Sequence, residues 1–566
     1  MLPYLKKYSL QYFFGTCLLV LVNLLAAYIP QLIKQSVDKL QIFAQKLSFV
    51  DIASELRHEI LISIALITVM SIVMSLVRIA SRQVLFGIGR NVEFDLKKNI
   101  FNHLVAMPPS FFAKRRTGDL ISIISNDVQS IRSLAGFAML NIVNTVIAFA
   151  IILPMMFHLH FQLTIFFLIT IPLVIIFIIL LSYRIKKFQE VVQVQLGEIS
   201  NFIEQNLSGI HIIKAFAQED SEIKRFKGYN DKLKDVNIKL VAYRSLIGPV
   251  MRVVASIGFI LLLYIGGKSV IAGNFTPGDF TAYGLYIQRL IWPIATLGWL
   301  ITLVYRAQVS EKRINSILHE KPSIFDHANA VDKNTFDREI KLNLLNTEIP
   351  KGINLAIVGT IGSGKTILAQ KLMHLKEMHD GEISIDGIDI KQIKLNSLRT
   401  LINMVPQENF LFATSIRENI AYAKDLSETE IINLAKLVNI YDEVMKFPAG
   451  FDSVVGERGI TLSGGQRQRL SIARALALDP EILILDDALS SLDDRNAREI
   501  LGNILKLRKN KTTIFITHKI SITNKFERIW VMDKGQIVEQ GSYEKLAECE
   551  KSLFQDLLKK SEGEEK

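Results

Sequence analysis

Long uncharged apolar runs dominate the first half of the chain, whereas beyond about Glu320 short apolar stretches alternate with charges, glycine and aspartate. The first pattern is that of membrane helices, because crossing about 30 Å of hydrocarbon takes about 20 mostly apolar residues whose backbone groups bond one another. Six segments meet that requirement: Ser9 to Ile33, Ile60 to Val77, Leu134 to Phe157, Phe161 to Tyr183, about Ser245 to Gly267, and about Phe280 to Tyr305. The last two each carry one arginine inside the run, Arg252 and Arg289. The second pattern is that of a water-exposed α/β domain. The expected organisation is a membrane domain over 1–318, a linker over 319–335 and a soluble domain over 336–566.

The loops orient the membrane half, since Lys and Arg accumulate on the cytoplasmic side. His158, Leu159 and His160, between the third and fourth spans, include no Lys or Arg and are expected outside. The stretches after the second span (Arg90, Lys97, Lys98, Lys114, Arg115, Arg116) and after the fourth (Arg184, Lys186, Lys187, Lys224, Arg225, Lys227) are basic and belong in the cytoplasm with both termini. They are helical in pattern and too long for turns, so the spans should continue beyond the bilayer before reversing. An ionisable residue at membrane depth is a candidate functional group. Arg289, roughly 15 Å or about 10 residues from the outer end of the sixth span, is the candidate for substrate contact, with pairing or packing as the alternative. Arg78, Arg82 and Arg252 lie nearer the inner interface, where such side chains reach lipid headgroups.

With 566 residues the chain is long enough for at least two folding units. Its formal net charge of +11 is scattered over several helices and loops and forms no long basic arm, which argues for membrane-surface charge and against nucleic acid. Cys17 and Cys549 stand at opposite ends, so no disulfide framework is expected. The run from Ser9 to Ile33 exceeds the about 7 to 15 residues of a signal-peptide core and is expected to stay as a helix.

The soluble half carries a complete phosphate loop, Gly359 Thr360 Ile361 Gly362 Ser363 Gly364 Lys365 Thr366, after the strand-like Leu355 to Val358 and before the helical Ile367 to Leu375. Glycines let backbone N–H groups close on phosphate oxygens, Lys365 reaches the terminal phosphates, and the Thr366 hydroxyl ligates magnesium. Ile482 to Asp486 reads as a buried strand ending in a carboxylate that holds the same ion. A nucleotide and Mg2+ are therefore the expected ligands, and the motifs that follow narrow the nucleotide to ATP.

Further residues resemble the motifs of ABC exporters. Gln407, in Val405 Pro406 Gln407 Glu408, resembles the Q-loop, which implies contact with magnesium and the membrane domain. Leu462 Ser463 Gly464 Gly465 Gln466 matches the ABC signature, which in that family closes over the nucleotide of an opposing subunit. Ser490 Ser491 Leu492 Asp493 resembles the D-loop, His518 the switch histidine, and Gly456 Glu457 Arg458 Gly459 an exporter-branch motif beside the coupling helices. In the membrane half, Ser110 to Leu120 with Asn126 Asp127 Val128 resembles the first coupling helix. Leu207 to Ile210 with Ile213 to Phe216 and Glu219 resembles the second, and Ile291 Trp292 Pro293, Gly298 Trp299 and Arg306 match the layout. The implied fold is an all-α six-helix transmembrane domain followed by an α/β P-loop ATPase domain with an α-helical signature subdomain.

Two departures stand out. Exporters usually follow the magnesium aspartate with a glutamate that handles the attacking water, and this chain has Asp487. Aspartate is shorter by one methylene, about 1.5 Å, and a misplacement of about 1 Å can cost on the order of 100-fold in rate. The usual adenine-stacking tyrosine is also missing, and Phe336 is the nearest aromatic candidate for that role. The chain thus resembles the weaker half of bacterial heterodimeric multidrug-type exporters. The implied partners are a second half-transporter, the bilayer of a bacterial plasma membrane and a small hydrophobic or amphiphilic substrate. Homodimeric lipid or peptide export is the alternative, and an ATP-gated channel or regulatory receptor a third reading.

Overall fold

A computed structural model of the chain describes residues 2–45, 52–456, 459, 461–549 and 551–564. Glu457 and Arg458 of the exporter-branch motif lie outside the described residues. The chain divides into two compact units, Met1–His103 with Thr117–Glu320, and Leu104–Arg116 with Lys321–Lys566. Much of the segment resembling the first coupling helix thus groups with the soluble part of the sequence.

The first unit is helical: α1 Ser9–Gln45, α2 Ile52–Ala106, α3 Thr117–Leu159, α4 Phe161–Ser208, α5 Glu219–Ser245, α6 Ile247–Leu261 and α7 Pro277–Leu318. Among the described residues α1, α2, α3 and α7 are long and apolar enough to cross a membrane, and shorter apolar stretches cover Phe161–Pro172 and Ser256–Ile271. Each of the six expected spans overlaps one of these. The helices run well past the apolar stretches, α2 to Ala106 and α4 to Ser208. Ile62, Ile64, Val69, Ile72 and Leu76 of α2 are exposed, as suits a helix whose neighbour is lipid or another chain and not water.

Local chemistry fixes the helix ends. Thr276 caps α7 through a reciprocal capping box: its Oγ1 accepts from Asp279 N at 2.9 Å while Asp279 Oδ2 accepts from Thr276 N at 3.1 Å. Pro277 follows as the first helical residue. The His160 ring caps α4 by accepting from Leu163 N, so α3 and α4 meet at a single residue. Met156, Leu163, Phe167, Tyr283, Tyr286 and Leu290 form a buried cluster in which Tyr286 Oη donates to Ala27 O at 2.8 Å.

The second unit carries ten strands among its described residues: β1 Glu339–Leu342, β2 Thr347–Pro350, β3 Asn354–Gly359, β4 Ile383–Ile385, β5 Ile388–Asp389, β6 Ile402–Val405, β7 Ile482–Asp486, β8 Thr512–Ile516, β9 Arg528–Asp533 and β10 Gln536–Gly541. One sheet is antiparallel, in the order β2-β1-β4-β5. The other, β10-β9-β3-β8-β7-β6, is parallel except for the β9–β10 hairpin. Its central strands are buried on both faces. Leu355 and Ile357 of β3 join one core, Ala356 and Val358 the other, and β7 divides the same way between Ile482 and Ile484, and Leu483 and Leu485. Helices α8 Lys365–Leu372, α9 Gly464–Ala477 and α10 Asp494–Leu507 accompany this sheet.

Candidate functional site

The strands β3, β8, β7 and β6 are neighbours in that order and parallel, so their carboxyl ends lie along one edge of the sheet. In open α/β sheets that edge is where ligands bind. The phosphate loop follows β3, Asp486 ends β7, His518 comes just after β8, and Gln407 just after β6. The register pairs Asp486 with Ile516 and Val405 with Leu485, which brings motifs distant in sequence into one line.

The phosphate loop owes its shape to glycine. Gly359, Gly362 and Gly364 have φ of +154°, +82° and +99°, and a Cβ on Gly359 would run into the Met532 carbonyl. Gly364 precedes α8 without any side-chain cap, so the first N–H groups of the helix are free to meet an anion. Lys365 Nζ folds back over the loop, donating to Gly359 O at 2.9 Å, Thr360 O at 2.8 Å and Ser363 Oγ at 3.2 Å. Burial pushes its ammonium pKa down, while Asp486 and Asp487 pull it up. Ile361 stands out from the loop at 92% exposure. Thr360 Oγ1 donating to Asp533 Oδ1 (3.1 Å) and Gly535 N to Ser363 O (2.9 Å) brace the loop from the β9–β10 hairpin.

Asp486 is buried, and its Oδ2 has no hydrogen-bond partner among the described residues; neither has Asp487 Oδ1. Desolvation lifts the Asp486 carboxyl above its ordinary value, the Thr366 hydroxyl pulls it back, Asp487 lifts it further, and Lys365 and His518 lower it. Buried, unpartnered carboxylate oxygens beside a threonine hydroxyl are a donor set that a hard divalent cation satisfies, so Thr366 and Asp486 fit magnesium. Gln407 is exposed, and its side chain makes no hydrogen bond among the described residues; its carbonyl accepts from Asn409 Nδ2 at 3.4 Å. Desolvation and Lys365 hold the His518 imidazolium below its ordinary pKa, against Asp487 and Asp486. His518, Lys365 and both aspartates thus share one electrostatic environment.

The backbone of Asp487 is clamped. Its φ is +50°, its N–H donates to Ile516 O at 2.8 Å, and its carbonyl accepts from Ser490 Oγ at 2.9 Å and Gln468 Nε2 at 3.4 Å. Aspartate tolerates this left-handed conformation better than most residues. With its Cα fixed, the carboxylate has only its single methylene with which to reach.

The signature residues occupy the start of α9. Ser463 Oγ accepts from Gln466 N at 3.2 Å and Gln466 Oε1 from Ser463 N at 2.9 Å, a capping box that orders Gly464 and Gly465 between them. Leu462 is buried just before it. Among the described residues no hydrogen bond or ion pair joins 462–466 to 359–366. Gln468, absent from the sequence-based candidates, ties α9 to the D-loop: its Oε1 accepts from Ser491 N and its Nε2 donates to Ser490 Oγ, each at 2.9 Å. Glu443, likewise absent, accepts from Arg469 Nη2 at 3.0 Å and from Gln466 Nε2 at 2.7 Å.

The expectation for Phe336 is overturned. Its side chain is 1% exposed and packs in one core with Ile340, Ile349, Ile383 and Ile385, leaving no ring face for adenine. The β1–β2 hairpin that follows holds no aromatic residue, only Asn343 to Asn346 in its turn. In the membrane unit, Arg289 lines a hollow of about 270 Å³ with Ile29, Pro30, Ile33, Leu285 and Gln288. It has no acidic partner among the described residues.

The family pattern described as the ABC transporter transmembrane region matches residues 12–294, and that described as ABC transporter matches residues 342–490. The chain belongs to the ABC transporter family. An ATP-dependent lipid A-core flippase of Desulfotalea psychrophila is 34% identical over 82% of this chain and 84% of its own length. A probable multidrug resistance ABC transporter ATP-binding/permease protein of Bacillus subtilis, YheI, is 31% identical over 96% and 94%. The multidrug resistance-like ATP-binding protein MdlA of Escherichia coli is 31% identical over 87% and 86%. Among solved structures, a bacterial Atm1-family ABC exporter with ATP bound superposes with a TM-score of 0.78 at 26% identity, covering 97% of this chain and 98% of that one. The ABC membrane region and the ABC ATPase domain follow one another in a single chain.

Proposed function

We propose that this chain is one half of a dimeric ABC exporter that moves lipids or lipid-like drugs across a bacterial plasma membrane, driven by ATP, and that it is the slow-hydrolysing half of a heterodimer. The observation that carries the dimer is the capped signature turn at the start of α9, whose hydrogen bonds among the described residues all go to residues outside the phosphate loop, since a signature acts on nucleotide held by another ATPase domain. Exposed apolar residues at the second coupling segment, Ile212 at 66% and Phe216 at 71%, support a second chain as their cover. Asp487 on its clamped backbone supports the slow site, with the water-positioning carboxylate drawn back by about 1.5 Å.

Each residue has a role in that reading. The loop from Gly359 to Thr366 holds the triphosphate; Thr366 and Asp486, with Gln407, hold magnesium; Asp487 and His518 face the terminal phosphate; Ser463 and Gly465 complete the partner's site. Magnesium, when bound, neutralises the phosphate oxygens and so stabilises developing charge. ATP binding at both sites favours one arrangement of the two halves and hydrolysis releases it, a population shift carried into the helices through the coupling segments.

Arg289, which lines the hollow between α1 and α7 without an acidic partner among the described residues, favours an amphiphile with an anionic headgroup. The names of the lipid A-core flippase relatives agree with that class. In membrane vesicles holding the chain and its partner, ATP should drive movement of a fluorescent anionic phospholipid between leaflets. Arg289→Ala should raise the lipid concentration for half-maximal stimulation of ATP turnover by about tenfold, equivalent to about 1.4 kcal/mol. Unchanged lipid dependence would remove Arg289 from the cavity, and no ATP-driven movement of any amphiphile would favour a gated channel or receptor.

A further inference from the structure

The chain passes between its two units at three places, after His103, after Arg116 and after Glu320. Helix α3 begins just past the second crossing and α7 ends just before the third. Close to both of those ends stands a buried carboxylate. Asp127 closes a π-wound turn, Ile123–Asp127, within α3 and is 6% exposed. Its Oδ1 accepts from Ser310 Oγ at 2.8 Å. Its Oδ2 lies 2.9 Å from Arg313 Nη1, an ion pair set at an angle outside that of a hydrogen bond. Ser310 and Arg313 lie about one turn apart on α7. Ala307, Ser310, Ile314 and Ile317 make a buried stripe on that helix, which packs on the π-wound turn and on the helical residues that follow it.

A π-wound turn gives the helix one residue more than its regular winding would hold and so re-aims the side chains that follow; such turns recur at functional positions. Here it leaves Asp127 in contact with both groups of α7. Elsewhere α3 is fixed to α2: Arg132 Nη1 donates to Glu93 Oε2 at 3.1 Å, and Gly89 meets Gly136 so closely that a Cβ on Gly89 would lie 3.2 Å from the Gly136 Cα.

We propose that Asp127, with Ser310 and Arg313, is a positioning device that locks α3 to α7, so that a displacement entering the membrane unit by either connection moves both helices as one body. A buried carboxylate held by a buried hydroxyl and a half-exposed guanidinium serves this better than apolar packing. Apolar surfaces slide past one another by exchanging equivalent contacts, whereas separating Asp127 from its partners strands a carboxylate away from water. The lock has no part in nucleotide chemistry, and it rests on the exporter reading only in that ATP supplies the motion.

The test is a distance measured by pulsed electron spin resonance in the full chain with its partner in lipid nanodiscs. Spin labels are attached at the exposed positions Ser125→Cys and Asn315→Cys in a Cys17→Ser, Cys549→Ser background. With the lock intact, the separation should change by less than about 2 Å between nucleotide-free protein and protein trapped with Mg-ATP and vanadate, well below a one-turn slip of about 5 Å. Asp127→Asn should widen the distribution about twofold already in the nucleotide-free state. Arg313→Gln should do the same, and Arg313→Lys, which keeps the charge, should stay narrow. Ser310→Ala with Arg313→Gln serves if Asp127→Asn fails to assemble. A one-turn slip in the unmutated pair, or a distribution that stays narrow without Asp127 or its two partners, overturns the proposal. Retention of vanadate-trapped nucleotide, counted separately, reports the ATP-driven step itself, so failure of the exporter reading and failure of the lock are told apart.

Discussion

Asp386, in the turn between β4 and β5, has its side chain 6% exposed and Lys333 Nζ at 2.8 Å. Burial by itself would raise its pKa, yet Lys333 and the N–H groups of Asp337, Arg338 and Glu339 hold it at about 2. The folded pKa lies below the unfolded one, so the stabilisation is full above about pH 4 and is lost as pH falls towards 2, with a size of roughly 2 kcal/mol. Thermal unfolding of the chain in detergent should therefore show Asp386→Asn less stable at pH 7, with the gap to the unmodified protein closing between about pH 4 and pH 2. A gap that persists to pH 2 would mean the amide loses packing and not charge. Residues of this kind are hard to read from sequence, because nothing near Asp386 in the chain marks Lys333 as its partner. The phosphate loop is the opposite case. Its eight residues carry their own geometry, glycines for positive φ and Lys365 folded onto the same loop, so the site is local and legible. Phe336 fails as an adenine platform because distance along the chain from the phosphate loop says nothing about which way a ring is buried.

Between elements, the signature helix and the D-loop form one body. Gly465 sits so close to the D-loop that a Cβ would lie 2.9 Å from Leu492 Cδ2 and 3.3 Å from Ser491 O. Gly465→Ala should push the D-loop away while leaving the chain's own phosphate loop intact. The expected result is a loss of at least about tenfold in turnover with the partner, by misplacement of the signature, with nucleotide binding to the isolated chain unchanged. Equal losses in both would place the effect in folding. Membrane helices show what hydropathy reads and what it leaves out. The apolar run Ile60 to Val77 marks where α2 meets lipid, but the helix continues to Ala106 because its polar continuation is held by pairs such as Lys97 with Glu93 and Arg132 with Glu93. The π-wound turns of α3 have no sequence signature, and the pairing of Asp127 with Arg313 joins residues far apart in the chain, so both become visible only in three dimensions.

For the molecule as a whole, the division of labour is plain in the sequence because hydrophobicity changes abruptly, and the family matches fall on the two parts in the same order. In the proposed dimer the signature of one chain completes the ATP site of the other. In the proposed exporter the Asp487 site binds ATP and hydrolyses it slowly, leaving fast turnover to a partner's site completed by Ser463 and Gly465. The deciding experiment is ATP turnover of the reconstituted chain, alone and with candidate partner halves, comparing the unmodified protein with Asp487→Glu and Asp487→Asn. A slow half should show little turnover alone, restoration by one partner, a change of less than about twofold on Asp487→Asn, and a gain of about tenfold or more at this site on Asp487→Glu. Brisk turnover by the lone chain, abolished by Asp487→Asn, would refute the slow half and leave a homodimer with two working aspartate sites.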